Sequence, residues 1–190
     1  MVFFTADTHF GHANVIKHCN RPYATLDEMN EALIANWNAR VHKNDHVYIA
    51  GDLAWRGNVN YAISIVSRLK GLKHLAIGNH DKDFLKKAEY RNLFVEIDQI
   101  LFAGLDQGKT IICHYPMLSW NGSCRGAWHV FGHMHNNLTR ESIAYNALRN
   151  MDKALNAGVD ICQFMPVTFQ ELITYNNVWK EKEVLNERDS

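Results

Sequence analysis

The chain has 190 residues, 47% of them hydrophobic, and its 20 basic residues are balanced by 20 acidic ones. That length and apolar content fit one domain over residues 1–190 with a sizeable core, and zero net charge removes any global electrostatic case for a polyanionic partner. No stretch reaches the ~18–20 apolar residues of a membrane helix and no basic segment with an apolar run opens the chain, so no membrane association is expected. The four cysteines, Cys19, Cys113, Cys124 and Cys162, show neither CxxC pairs nor zinc-ribbon spacing, which predicts a reduced, cytoplasmic setting.

In chain order, Phe3-Phe4-Thr5-Ala6 reads as a strand that stops at Asp7-Thr8-His9. A helical pattern follows from about His12 to Cys19 and breaks at Arg21-Pro22. Thr25 with Glu28 three residues on is a capping box opening a helix through about Arg40, with Met29, Leu33, Ile34 and Trp37 on its apolar face. Val47-Tyr48-Ile49-Ala50 is a strand ending at Gly51-Asp52, and a helix over roughly Val59–Leu69 stops at Gly71. The strand over residues 72–77 then delivers Gly78-Asn79-His80-Asp81.

Strand, motif, helix, strand is the rhythm of an α/β fold. The middle changes character: Phe94–Ile97, Gln99–Ala103 and Thr110–Cys113 are closely spaced strands, predicting a second, antiparallel or mixed sheet. The last of them leads into His114, and Val130-Phe131 leads into Gly132-His133-Met134-His135. Ala157–Asp160 reads as a further strand to the same edge, and Thr168 with Glu171 as a second capping box for a helix toward Trp179, followed by a charged, solvated tail.

A buried strand that stops at a polar residue places that residue on the C-terminal edge of its sheet, where α/β proteins bind ligands. Taken singly these ends have bland readings. Asp7 and His9 suit loop caps, Asp52 suits a bend after glycine, and Gly78-Asn79 is a turn former. The conjunction points to metal. Asp52 can bridge, with Asp7, His9 and a distant histidine on one side and Asn79 with two histidines on the other, making two adjacent coordination spheres of mixed oxygen and nitrogen donors. Eleven histidines, several within these clusters, agree with that reading.

The ordered motifs Asp7-Thr8-His9, Gly51-Asp52-Leu53-Ala54-Trp55-Arg56-Gly57, Gly78-Asn79-His80-Asp81, His114 and Gly132-His133-Met134-His135 closely resemble those of the calcineurin-like metallophosphoesterases, over about residues 2–135. The His-Phe-Gly-His start and the His-Tyr-Pro-Met segment are similar to small stand-alone bacterial or phage-type members. One departure is the longer stretch between Asp7 and Asp52, filled by the helix over 26–40. The resemblance implies a four-layer αββα sandwich, two mixed sheets flanked by helices. It implies Asp7, His9, Asp52 and His135 around a first divalent ion and Asp52, Asn79, His114 and His133 around a second, with Mn²⁺ the leading identity and Fe, Zn, Ni or Co also suited. His80 would be the non-ligand acid at the leaving oxygen, Asp81 would orient it, and Arg56 would touch phosphate or stiffen the Asp52 loop.

Around that site His12, Trp120 and Arg125 are candidate substrate contacts, the last two from a loop over 115–126 whose tip should overhang the pocket, and His129 and Asp160 are candidates for supporting the ligands. The expected activity is hydrolysis of phosphodiesters of nucleotide or nucleic-acid type by a hydroxide activated between two metals. A phosphomonoesterase uses the same motifs, and a non-catalytic metal-binding scaffold is the alternative of another class. The expected partner is the phosphate-ester substrate, with no obligate protein partner evident.

Overall fold

The computed structural model describes residues 1–55, 57–136, 138 and 142–182. Arg56 and the tail beyond 182, both singled out in the sequence, lie outside the described residues. Strands β1 (Val2–Thr5), β2 (His46–Ile49), β3 (Leu72–Ala76) and β4 (Glu96–Asp98) pair in parallel, in the spatial order β4-β3-β2-β1. Strand β9 (Val167–Thr168) closes that sheet antiparallel to β1. A second sheet has the order β5 (Ile100–Leu105), β6 (Gly108–Cys113), β7 (Trp128–Phe131), β8 (Ala154–Asn156), with β5 and β6 an antiparallel hairpin and the remaining pairs parallel.

Away from the edge strands β4 and β5, which are exposed on one side, the sheets are covered on both faces, which is why their central strands read as apolar runs rather than alternating ones. The two-residue period still sorts the side chains. Phe3, Val47, Ile49 and Leu75 pack against helices α1 (Ala13–His18), α2 (Leu26–Arg40) and α3 (Val59–Val66), in a core that also takes Tyr90 of the short α4 (Ala88–Arg91). Phe4, Ala6, Ala50 and Ala76 pack between the sheets against Leu101, Ile112, Val130 and Leu155. On the far side Ile111, Phe131 and Ala154 meet Tyr145 and Leu148 of α5 (Ser142–Leu148) and Trp179 of α6 (Phe169–Lys180). Three apolar interfaces between helices, sheet, sheet and helices make the four-layer sandwich. Alanines at three strand ends let the two sheets approach where the chemistry-bearing loops begin.

Local signals explain the helices. Thr25 Oγ1 accepts from Glu28 N at 3.2 Å to start α2, and Thr168 and Glu171 form a reciprocal capping box on α6. The apolar stripe of α2 is buried in the first core and the helix contributes nothing to the cleft described below, so this insertion packs rather than walls the site. Three expectations change. Residues 96–98 join the first sheet beside β3 instead of the second, because a short apolar run carries no information on which sheet it joins. The strand expected at 157–160 is β8 at 154–156, followed by a turn that keeps one bridge, Gly158 to Ala6. Helix α5 and strand β9 were not expected. Among the described residues, no helix is long and apolar enough to cross a membrane.

Candidate metal centre

The loops after β1 and β2 run side by side beyond the sheet, with Asp7 N donating to Gly51 O, His9 N to Asp52 O and Phe10 N to Leu53 O at 3.0–3.1 Å. This pairing turns the chain sharply. Asp7, His9, Asp52, His133 and His135 all hold φ between 49° and 71°, the left-handed region that costs an L-residue on the order of 1–3 kcal/mol. Strain gathered at five polar residues just past strand ends of both sheets is sustained by the packing beneath them. Two glycines make the approach possible. A Cβ on Gly78 would stand 2.1 Å from Asp52 Oδ1, and one on Gly51 would stand 2.4 Å from His114 Nδ1.

The side chains then converge. Asp52 Oδ2 lies 3.5 Å from His114 Nε2, 3.7 Å from His9 Nε2 and 3.8 Å from His80 Nε2. His114 Nε2 is 3.0 Å from Asn79 Oδ1, and His9 Nε2 is 3.2 Å from His135 Nε2. The Asp7 carboxylate accepts from His133 N, whose ring lies edge-on to His114. The ligand atoms of Asp7, His9 and His135 lie within 4.8 Å of one another, as do those of Asp7, Asp52 and His114, and those of His9, Asp52 and His80.

These donors fit a divalent cation on their own chemistry. His114 Nδ1 donates to Ala50 O at 2.8 Å and burial pushes the ring down to about 3, so its Nε2 carries a lone pair that faces two oxygen acceptors. His135 Nδ1 donates to Asp160 Oδ2 at 2.8 Å, which turns Nε2 toward the His9 nitrogen. Facing acceptors require a positive charge between them, a proton in the metal-free chain and a cation in the loaded one. A ring whose second nitrogen donates to a carbonyl or carboxylate is the usual form of a metal-ligating histidine. The carboxylates agree. Burial raises Asp7 to about 6, and burial with the neighbouring Asp7 and Asp81 raises Asp52 to about 8. Buried acids that hold protons are acids that a divalent ion can relieve.

That electrostatic state makes a testable prediction. Burial alone would lower His135, but the adjacent Asp7 and Asp160 carboxylates outweigh it and raise the ring to about 11. Between pH 6.5 and 8 the folded chain therefore keeps protons on Asp52 and His135 that the unfolded chain releases. More protons bound in the native state means stability falls as pH rises. In the presence of chelator, unfolding free energy is expected to drop by on the order of 2 kcal/mol across that window. Saturating divalent cation, which displaces those protons, is expected to flatten the slope in denaturant titrations.

Other residues support the ligands. Asp81 is fully buried, and its carboxylate accepts from the backbone N–H of Asp52 (2.8 Å), Leu53 (3.1 Å) and Gly78 (2.8 Å). It fixes the two loops that carry Asp52 and Asn79. The buried Arg21 guanidinium forms a two-pronged pair with Asp160 (2.7 and 3.0 Å) and also donates to the carbonyls of Asp7 (2.7 Å) and Thr8 (2.8 Å). Burial would raise Asp160, but Arg21 and His135 hold it below the usual carboxylate range. The supporting place expected of Asp160 is observed. Arg21 carried no sequence signal beyond the helix break.

A cleft of about 420 Å³ opens on the centre, walled by α1 residues and by Trp55. His12 lines it, stacked on Trp55 at 3.5 Å with the planes 7° apart, and burial together with His80 and His18 lowers the ring to about 4. Trp55 also lies 4.2 Å from His80. Trp120 and Arg125 are corrections. Trp120 is buried in the outer core, where Nε1 donates to Ala127 O and the ring packs on His129, while Arg125 sits on an exposed 3₁₀ turn away from the cleft lining. His129 ties that loop down by accepting from Met117 N, so it supports the loop and not the ligands.

The architecture and the edge cluster define a metal-dependent phosphoesterase-type centre. A family model for calcineurin-like phosphoesterases matches residues 1–187, and the chain belongs to that family. An uncharacterised protein of Methanocaldococcus jannaschii is 33% identical over 175 residues, covering 90% of this chain and 89% of its own length. The gene 66 protein of Mycobacterium phage L5 is 33% identical over 82 residues, 42% of this chain and 39% of that protein. The crystal structure of a protein of unknown function from Aquifex aeolicus superposes with a TM-score of 0.71 at 25% identity, covering 92% of this chain and 98% of that one.

Proposed function

We propose that this chain is a phosphodiesterase acting through two divalent cations. Asp7, His9, Asp52 and His135 would hold one, Asp52, Asn79, His114 and His133 the other, with Mn²⁺ the metal to load first. When bound, such ions offset phosphoryl charge and lower the pKa of water. The chain's own residues do the rest. Asp81 and Arg21 hold the ligand loops in their left-handed turns, and the His12–Trp55 stack walls one side of the cleft. His80, supported by Trp55, faces the cleft and supplies a proton to the departing oxygen.

The observation that supports the diester over the monoester is the size of the cleft. At about 420 Å³ it has room beside a phosphate for a second ester arm, which a monoester lacks. The test is kcat/KM of the Mn²⁺-loaded protein on bis(p-nitrophenyl) phosphate beside p-nitrophenyl phosphate. A preference for the diester of about tenfold or more is expected, and faster turnover of the monoester would overturn the reading.

A further inference from the structure

We infer that the Tyr115 hydroxyl is a positioning group for the second of the two cations, the one assigned to Asn79, His114 and His133, a role that rests on the two-cation reading above. Tyr115 follows His114 directly past the end of β6, and about half of it is exposed (47%). Its loop is pinned two residues on, where Met117 N donates to His129 Nε2 at 3.1 Å. From that place one side chain meets three members of one ligand set. The hydroxyl donates to Asn79 Oδ1 at 3.5 Å, the long end of the hydrogen-bond range. The ring stands edge-on to His133 and to His114, with centroids 4.7 and 5.0 Å apart. Among the described residues it makes no hydrogen bond or ring contact to Asp7, His9 or His135.

Asn79 is the ligand that depends on such a group. Other side chains of the centre are fixed through an atom that leaves the ligating one free. His80 N holds Asp52 by Oδ1, while Ala50 O and Asp160 hold His114 and His135 by Nδ1. A carboxamide is harder to fix, because its oxygen and its NH2 have nearly the same shape and only the oxygen binds a cation. Asn79 Oδ1 lies 3.0 Å from His114 Nε2, which brings a lone pair and no proton because Nδ1 is the donor to Ala50 O. The Tyr115 hydroxyl is therefore the one side-chain donor to that oxygen among the described residues. An amide oxygen has two lone pairs, so it can accept from the hydroxyl and face a cation at once. The contact is also one-sided. It supports ligands of the second cation and leaves those particular to the first untouched, so its loss should split two sites that share Asp52.

The test is Mn²⁺ binding to wild type, Tyr115→Phe and Asn79→Ala by calorimetric titration. Electron paramagnetic resonance is read alongside, because it tells a coupled pair of Mn²⁺ ions from a lone one. Tyr115→Phe keeps the ring and removes only the hydroxyl from a half-exposed side chain, so it is expected to fold. Asn79→Ala marks the binding step that belongs to the second site. Tyr115→Phe is expected to weaken that step by about tenfold or more and the other by less than about twofold, with the coupled signal giving way to the lone one at limiting Mn²⁺. Its kcat/KM on bis(p-nitrophenyl) phosphate should fall at limiting Mn²⁺ and return to the wild-type value at saturating Mn²⁺. Wild-type affinity at both steps, equal weakening of both, or a loss confined to the step that Asn79→Ala spares would overturn the assignment. So would a deficit in kcat/KM that persists at saturating Mn²⁺, since the hydroxyl would then act on the substrate. A wild type that binds fewer than two Mn²⁺ would instead overturn the two-cation reading, and this role with it.

Discussion

Arg21→Ala is expected to weaken divalent-metal binding by about 10–100-fold and to destabilise the fold by about 3–5 kcal/mol, although Arg21 touches no metal ligand through the ligand's side chain. Among the described residues the guanidinium is the only permanently charged partner of Asp160, beside the titratable His135 ring, and the Arg21 and Asp160 side chains are almost completely buried. Removing it strands a buried carboxylate, the change that makes broken internal ion pairs costly. It also releases the carbonyls of Asp7 and Thr8, which sit between two left-handed residues, Asp7 and His9. Strained turns of that kind persist only where the surroundings hold them. His135 is affected through Asp160, whose Oδ2 fixes the Nδ1–H and so the direction of Nε2. Calorimetric titration of Mn²⁺ well below the melting temperature separates this from simple loss of folding: a variant that is destabilised but binds metal with wild-type affinity would show Arg21 to be packing alone. Arg21→Lys is expected to recover little, because an ammonium cannot bridge two carboxylate oxygens and two carbonyls from one planar fork.

Much of the centre was legible because its residues punctuate short apolar strands. A run such as Val47–Ala50 that halts at Gly51-Asp52 has few ways to be buried, and the glycine announces the tight turn that brings Asp52 to the edge. Capping boxes located α2 and α6 for a similar reason, since the cap is a local hydrogen bond. What stayed hidden depends on contacts distant in sequence. Arg21 and Asp160 are 139 residues apart and nothing near either position marks the pair. Trp120 misled because an aromatic in a loop serves equally as a stacking surface and as a core plug, and only the outer core around Tyr145 and Trp179 decides between them. Trp55 stood inside a recognised motif yet showed its role only when the fold set it against His12 and His80.

Asp52→Asn and His80→Ala are expected to separate metal holding from proton transfer. Asp52 Oδ2 is the atom on which three histidine nitrogens converge at 3.5–3.8 Å, while Oδ1 accepts from His80 N at 2.9 Å. An amide keeps the shape but removes the charge, and one of its two positions becomes a donor that faces imidazole nitrogens. If Asp52 bridges two cations as proposed, both are then expected to weaken together, with kcat/KM reduced by at least about 10³-fold, on the scale of losing a principal charge-stabilising group. His80 is the sharper case. Its Nε2 lies close enough to Asp52 and His9 for the three to form a possible cation site, yet it also faces the cleft beside Trp55. As a proton donor, its loss should leave two metals per chain by elemental analysis and lower kcat by about 10²–10⁴-fold with KM little changed. The loss should be smallest for esters whose leaving group is already a weak base, since such an oxygen departs without a proton. A variant that retains one metal or none, with equal losses on good and poor leaving groups, would make His80 a ligand and move the proton donor elsewhere in the cleft.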